Sequence, residues 1–340
     1  LGFGWARACA RAVVLLLAVF ALLWGADGCG SATTATSTRE PPGTERAQRP
    51  VKLILDFTPN AVHAGIYRAL AAGYYRARGI ALKVVQPTST QETLKLIDAG
   101  RAQFGLADGS DVAALIDKGG DAQAMMAIAA RPLGGLIALR SERLESPAGL
   151  AGRTVGVTGV PSDYAVLDSE LRHSGVDPKR VRVANVGFGG AQALLAGRIA
   201  AFTGFIPADG VALSVAGHPI EAFALDRYGG PPYPGLVAFT TRALIESDPG
   251  LVRAFVAATL HGYRDTLADP ARSLAALQSA NPALPRRLTQ SSLAVYEPLF
   301  SRTGGIAASS VRAMSSWMLQ SKLIARPISP NRYRTSAFLP

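Results

Sequence analysis

From Val51 onward, short aliphatic runs alternate with helical stretches in two successive series, before the chain turns wholly helical. Val51–Leu55, Leu82–Val85, Phe104–Ala107 and Ala124–Ala130 read as strands, being short apolar runs rich in β-branched and aliphatic residues. Between them, residues 64–77, 90–99 and 111–118 read as helices; in the first, Ile66, Leu70 and Tyr74 recur at i, i+4 and i+8 and form one apolar face. The second series has strands at 154–158, 181–184, 201–205 and 220–224, with helices near 162–174, 190–196 and 209–216. Past an apolar run at 235–240 come four helices, at 249–268, 270–279, 289–299 and 307–320. Strand and helix in alternation predict a mostly parallel sheet covered by helices, so two series predict an α/β fold of two lobes with a cleft between them. Ligands of open α/β sheets lie beyond the carboxyl ends of the strands, which directs attention to the loops that follow them.

The composition agrees with a folded chain: 340 residues, 49% hydrophobic and 17% charged, enough for about two domains at roughly 150 residues each. The net charge is +11, but the arginines are scattered, with only short pairs such as Arg286-Arg287, so no basic stripe for nucleic acid is present. Residues 1–28 read as a signal peptide: Arg7 and Arg11, an apolar run over 12–24, then small residues before Cys29. That run makes about 20 Å of helix, short for a hydrocarbon core of about 30 Å. The polar, Thr- and Pro-rich residues 29–50 read as a flexible tether. Cys9 lies in the leader, so Cys29 has no partner for a disulfide in the mature chain. His63, His173, His218 and His261 have no ligand spacing, so neither a metal nor another cofactor is expected.

Three loops carry candidate binding residues. The first, Asp56 to Tyr67, follows the first strand and combines Asp56, Phe57, Asn60, His63 and Tyr67. An acid, aromatic faces, an amide and an imidazole suit a flat heterocycle, although Asn60 equally suits a helix N-cap. The second holds Pro161, Ser162 and Asp163, where the helix start either receives a polar ligand group or is simply capped by Ser162. The third holds Asn185 and Phe188, otherwise a glycine turn. Asp108 and Asp111, three residues apart after a strand, read as one ligand acceptor and one helix cap.

These residues resemble the solute-binding proteins of bacterial ABC importers that share a fold with the fungal-type pyrimidine synthases of thiamine biosynthesis. The nearest branch resembles the binders of formylaminopyrimidine. The likeness rests on Leu55-Asp-Phe-Thr-Pro-Asn-x-x-His-x-Gly-x-Tyr67, Gly73-Tyr-Tyr-x-x-x-Gly-Ile80, Gly152-Arg-Thr-Val-Gly156, Asn185-Val-Gly-Phe188, Asp209-Gly-Val211, Leu225-Asp-Arg-Tyr-Gly229 and the ending Thr335-Ser-Ala-Phe-Leu-Pro340. It implies a type II periplasmic-binding-protein-like fold with two crossings, near Leu139 and Phe239. Lobe 1 would then hold residues 51–139 and 240–340, and lobe 2 residues 140–239. It places Asp56, Phe57, Asn60, His63 and Tyr67 on one wall, and Pro161, Ser162, Asp163, Asn185, Phe188 and Asp209 on the other. The Ala26-Asp-Gly-Cys29 segment resembles a bacterial lipobox, which implies a lipid anchor on Cys29 at the outer face of the cell membrane.

The implied role is a monomeric binding protein that passes a small heterocyclic solute to an ABC permease with ATPase subunits. Ile206-Pro207 stands where the pyrimidine binders usually carry Trp-Asn, which leaves riboflavin or another small organic solute as the alternative ligand. The synthases of the same superfamily use a Lys, a His and a cysteine-rich segment. The matching positions here are Ala107 and Asp111, with no cysteine cluster, so no enzymatic activity is expected.

Overall fold

The computed structural model describes residues 48–340, so the expected signal peptide, the Cys29 anchor and most of the expected tether lie outside the described residues. The tether expectation ran to residue 50, whereas the first strand, β1 (Arg49–Ile54), already includes Arg49 and Pro50. Next along the chain are β2 (Ile80–Val85), β3 (Phe104–Ala107), β4 (Gln123–Ala129) and β5 (Gly134–Leu139). The remaining strands are β6 (Thr154–Val157), β7 (Arg182–Asn185), β8 (Ala201–Phe205), β9 (Ile220–Ala224) and β10 (Leu236–Thr240). They form two five-stranded sheets with the orders β2-β1-β3-β10-β4 and β7-β6-β8-β5-β9. No helix among the described residues is long and apolar enough to cross a membrane.

Each sheet is mixed rather than parallel. In the first, only β10 runs against its neighbours β3 and β4; in the second, only β5 runs against β8 and β9. The reason is topological. Each strand that follows a crossing starts at the cleft, where the previous strand ended, and runs away from it.

The crossings therefore occupy residues 130–133 and 225–235, before the positions expected at Leu139 and Phe239. Leu139 ends β5 inside the second sheet, and Phe239 lies within β10 of the first. The two connecting segments lie side by side, since Gly235 N–H donates to Arg131 O at 3.1 Å and Arg131 pairs with Asp226. A Cβ on Gly235 would come within 2.3 Å of that same carbonyl, so only glycine allows the approach.

The C-terminal helices pack back on the first sheet. Phe255, in the helix Pro249–Ala268, stacks on Phe104 of β3 at 3.8 Å between ring centroids. The same helix crosses the helix Ala64–Ala71 so closely that a Cβ on Gly262 would lie 2.0 Å from Gly65 O. That first helix ends at Ala71 rather than at the expected Ala77. Gly73, at φ +72°, adopts the left-handed conformation that stops a helix, and Tyr74 N–H returns to Ala69 O in a Schellman turn.

Candidate functional site

The carboxyl ends of β1, β3, β6 and β8 converge on a cavity of about 70 Å³ between the two sheets. The first lobe contributes Asp56, Phe57, Thr90, Asp108 and Asp111; the second contributes Ser162, Asp163, Phe188, Phe205 and Asp209. The lobes touch across it. Ser162 donates to Asp111 through both its backbone N–H and its hydroxyl, each at 2.9 Å. The rings of Phe57 and Phe188 meet edge to face at 4.4 Å.

Asp56 is held from behind. Asn60 N–H donates to His63 Nδ1 at 3.1 Å, which leaves the ring proton on Nε2, 2.8 Å from Asp56 Oδ1. This chain orients the carboxylate and leaves Oδ2 without a partner among the described residues. Asn60 also caps the short turn Ala61–His63 by accepting from Val62 N–H. Tyr263 fastens that turn to the C-terminal helices, its hydroxyl donating to Val62 O at 2.7 Å.

Asp163 is fully engaged by the protein. Its Oδ2 accepts from Thr158 N–H, Thr158 hydroxyl and Gly159 N–H at 2.7, 2.6 and 2.9 Å, and Oδ1 accepts from Thr203 at 2.9 Å. Asp209 sits in a wide π turn, Ile206–Gly210, that delivers it to the cavity. Its Oδ2 accepts from Phe205 N–H at 3.0 Å, and Oδ1 receives no hydrogen bond from another of the described residues. Gly204 makes room, because a Cβ there would lie 2.7 Å from Asp209 Oδ2.

Asp108 caps the helix Gly109–Asp117 through Ser110 N–H, and its Oδ2 meets only the Tyr233 hydroxyl at 3.4 Å. Five aspartates thus border the cavity, and among the described residues no Arg, Lys or His does. Burial raises four of them above the usual carboxylate range, Asp209 to about 6 and Asp108 to about 7, with Asp111 and Asp163 raised too. Repulsion from Asp108 adds to the effect on Asp111, and repulsion from Asp163 adds to that on Asp108, Asp111 and Asp209.

Of the residues singled out from the sequence, Asp56, Phe57, Asp108, Ser162, Asp163, Phe188 and Asp209 border the cavity. Asn60, His63, Tyr67, Pro161 and Asn185 do not. Asn60 and His63 support Asp56 from below, Tyr67 is buried beside Asn281, and Pro161 opens the helix Pro161–His173. Asn185 accepts from Gly187 N–H in its own turn. Of the two acids expected as one ligand acceptor and one helix cap, Asp108 is the cap, whereas both oxygens of Asp111 are taken by Ser162 of the opposite lobe. Thr90, Thr158, Thr203 and the Gly134-Gly135 pair also border the cavity, though no sequence motif marks them. Their signal was positional, since Thr158 directly follows a strand and Gly134 opens one.

Solved structures share this fold, for instance the alkanesulfonate-binding protein SsuA from Xanthomonas axonopodis pv. citri bound to MOPS (TM-score 0.68, 15% identity, 86% of this chain and 100% of that one). The fold is that of the periplasmic binding proteins. Among curated relatives, the formylaminopyrimidine-binding protein of Halalkalibacterium halodurans is 28% identical over 84% of this chain and 89% of its own. The riboflavin-binding protein RibY of Chloroflexus aurantiacus is 25% identical over 96% and 97%. The 4-amino-5-hydroxymethyl-2-methylpyrimidine phosphate synthase of Legionella pneumophila is 26% identical over 74% and 80%. Residues 60–273, more than half of the chain, match the family described as NMT1/THI5 like, and the chain belongs to that family.

Proposed function

We propose that this protein captures a small, flat nitrogen heterocycle of the thiamine-pyrimidine class outside the cytoplasm and hands it to an ABC permease driven by ATPase subunits. The observation that carries this reading is the lining of the interlobe cavity: acceptor oxygens from both lobes, three phenyl rings at its wall, and, among the described residues, no basic side chain. Such a surface complements ring amino groups and ring N–H donors, and it repels sulfonates and phosphates. Closure of the lobes then brings Asp56 Oδ2 and Asp209 Oδ1 onto one ligand from opposite sides. In this reading the chain acts as a monomer, tethered through a lipid on Cys29.

The same geometry favours binding without chemistry. Ala107 and Asp111 stand where the resemblance to the synthases places a Lys and a His, and Asp111 is engaged by Ser162. The only cysteines are Cys9 and Cys29, both before the lobes begin. Riboflavin is the second reading, favoured by the nearly full-length likeness to RibY.

A thermal-shift screen against formylaminopyrimidine, 4-amino-5-hydroxymethyl-2-methylpyrimidine, riboflavin and taurine tests both readings. At about 100 times its Kd, a true ligand stabilises the fold by about 2.7 kcal/mol. Asp56→Ala and Asp209→Ala should each weaken its binding by about 1 to 3 kcal/mol, the worth of a charged hydrogen bond. A shift with taurine alone, or wild-type affinity in both variants, sinks the proposal.

A further inference from the structure

We propose that the cleft holds its heterocycle as a cation, with the positive charge on a ring nitrogen protonated at the moment of binding. This deepens the heterocycle reading above and rests on it. The side-chain hydroxyls at the cavity wall already serve protein acceptors: Ser162 serves Asp111, Thr158 and Thr203 serve Asp163, and Thr90 serves Asp56 O. What faces the cavity unpartnered is carboxylate oxygen, above all Asp56 Oδ2, on a side chain only 4% exposed.

The charge count points the same way. None of the nine ion pairs among the described residues involves Asp108, Asp111, Asp163 or Asp209, although the whole chain carries +11. The side chains that face these acids carry hydroxyls or carboxyls, and their other partners are backbone N–H groups. Tyr233 and Tyr333 stand beside Asp108 and Asp111, Tyr263 and Tyr296 near Asp56, and Tyr296 near Asp209; only Asp56 has a histidine, His63. Burial raises all four tyrosines further, so they stay neutral. With these acids ionised, a neutral heterocycle would leave several buried carboxylates uncompensated, which is costly, whereas a cation supplies the missing charge. The rings of Phe57 and Phe188 also receive a planar cation well.

The test uses wild-type protein and 4-amino-5-hydroxymethyl-2-methylpyrimidine, a weak base that is mostly neutral in mildly alkaline solution. Calorimetry between pH 7.5 and 9, above the values of about 6 for Asp209 and about 7 for Asp108, should show Kd rising about tenfold per pH unit. Titrations in two buffers of different ionisation enthalpy should report uptake of about one proton per ligand. A ligand labelled with ¹⁵N should show its ring nitrogen at the protonated position. A flat Kd with no proton uptake overturns the inference while leaving the heterocycle reading intact. Proton uptake with the ring nitrogen at its neutral position places the proton on a carboxyl and also overturns it. No binding by this pyrimidine, formylaminopyrimidine or riboflavin overturns both the inference and the reading beneath it.

Discussion

Asp163 separates scaffolding from ligand contact, because its four hydrogen bonds tie the end of β6 and the middle of β8 to the helix Pro161–His173. Replacing it with alanine removes the acceptor for two backbone N–H groups, Thr158 and Gly159, in a half-buried loop. The two threonine hydroxyls can turn elsewhere; the amides cannot. At up to about 1 to 3 kcal/mol for each donor left unsatisfied, the gross loss is at most about 2 to 6 kcal/mol. Removing a carboxyl whose charged form is disfavoured by burial returns part of that, so Asp163→Ala should destabilise the fold by about 3 kcal/mol. Asp163→Asn is the control. Its amide oxygen can take the place of Oδ2, and its NH₂ can donate to Thr203, whose hydroxyl also accepts. That variant also removes the repulsion Asp163 exerts on Asp108, Asp111 and Asp209, so it should lie within about 1 kcal/mol of the wild type at pH 7.5. Urea unfolding followed by circular dichroism, with equal m-values required, measures both. Equal losses in the two variants, or a loss below about 1 kcal/mol in Asp163→Ala, would refute the reasoning.

Two further outcomes follow from other parts of the molecule. Gly262→Ala places a methyl 2.0 Å from Gly65 O and 2.7 Å from Ala69 Cβ, so the two helices must part. The expected cost is about 1 to 3 kcal/mol in urea, and an unchanged midpoint would contradict the close crossing. In ligand-free protein, the aspartates raised by burial bind more protons folded than unfolded between the ordinary carboxylate range and about 7. Stability contributed by these groups is therefore greatest at the acid end and is lost as pH rises through about 6 to 7. Melting at fixed ionic strength should show a higher Tm at pH 5 than at pH 8; the reverse order would disprove the burial of these acids.

Much of the fold was legible because period and length sufficed. The strands Phe104–Ala107, Ala201–Phe205 and Ile220–Ala224 and the helix Pro249–Ala268 lie where the pattern places them. β5 was not legible. Gly134-Gly135 looks like a turn, and the strand it opens is stabilised by β8 and β9, far away in sequence. Both glycines are tolerated because that strand starts at the cavity wall, where Gly135 comes close to Phe223 O. Missing β5 also displaced the lobe boundary.

At the site, the sequence singled out the loops after the strands and the residue types that recognise a flat heterocycle, because a strand followed by a helix exposes its loop whatever else the chain does. Which of those side chains face the cavity was decided by tertiary contacts. His63 and Asn60 turn away to hold Asp56, and Asp163 turns back to its own loop. Asp111, which local spacing offered as a cap or an acceptor, instead meets Ser162 across the cleft, fifty-one residues on. Local sequence sets which groups are available, since it acts through neighbouring backbone and helix or strand period. The partner of each group depends on two sheets closing on one another, and that packing brings together residues no local pattern relates.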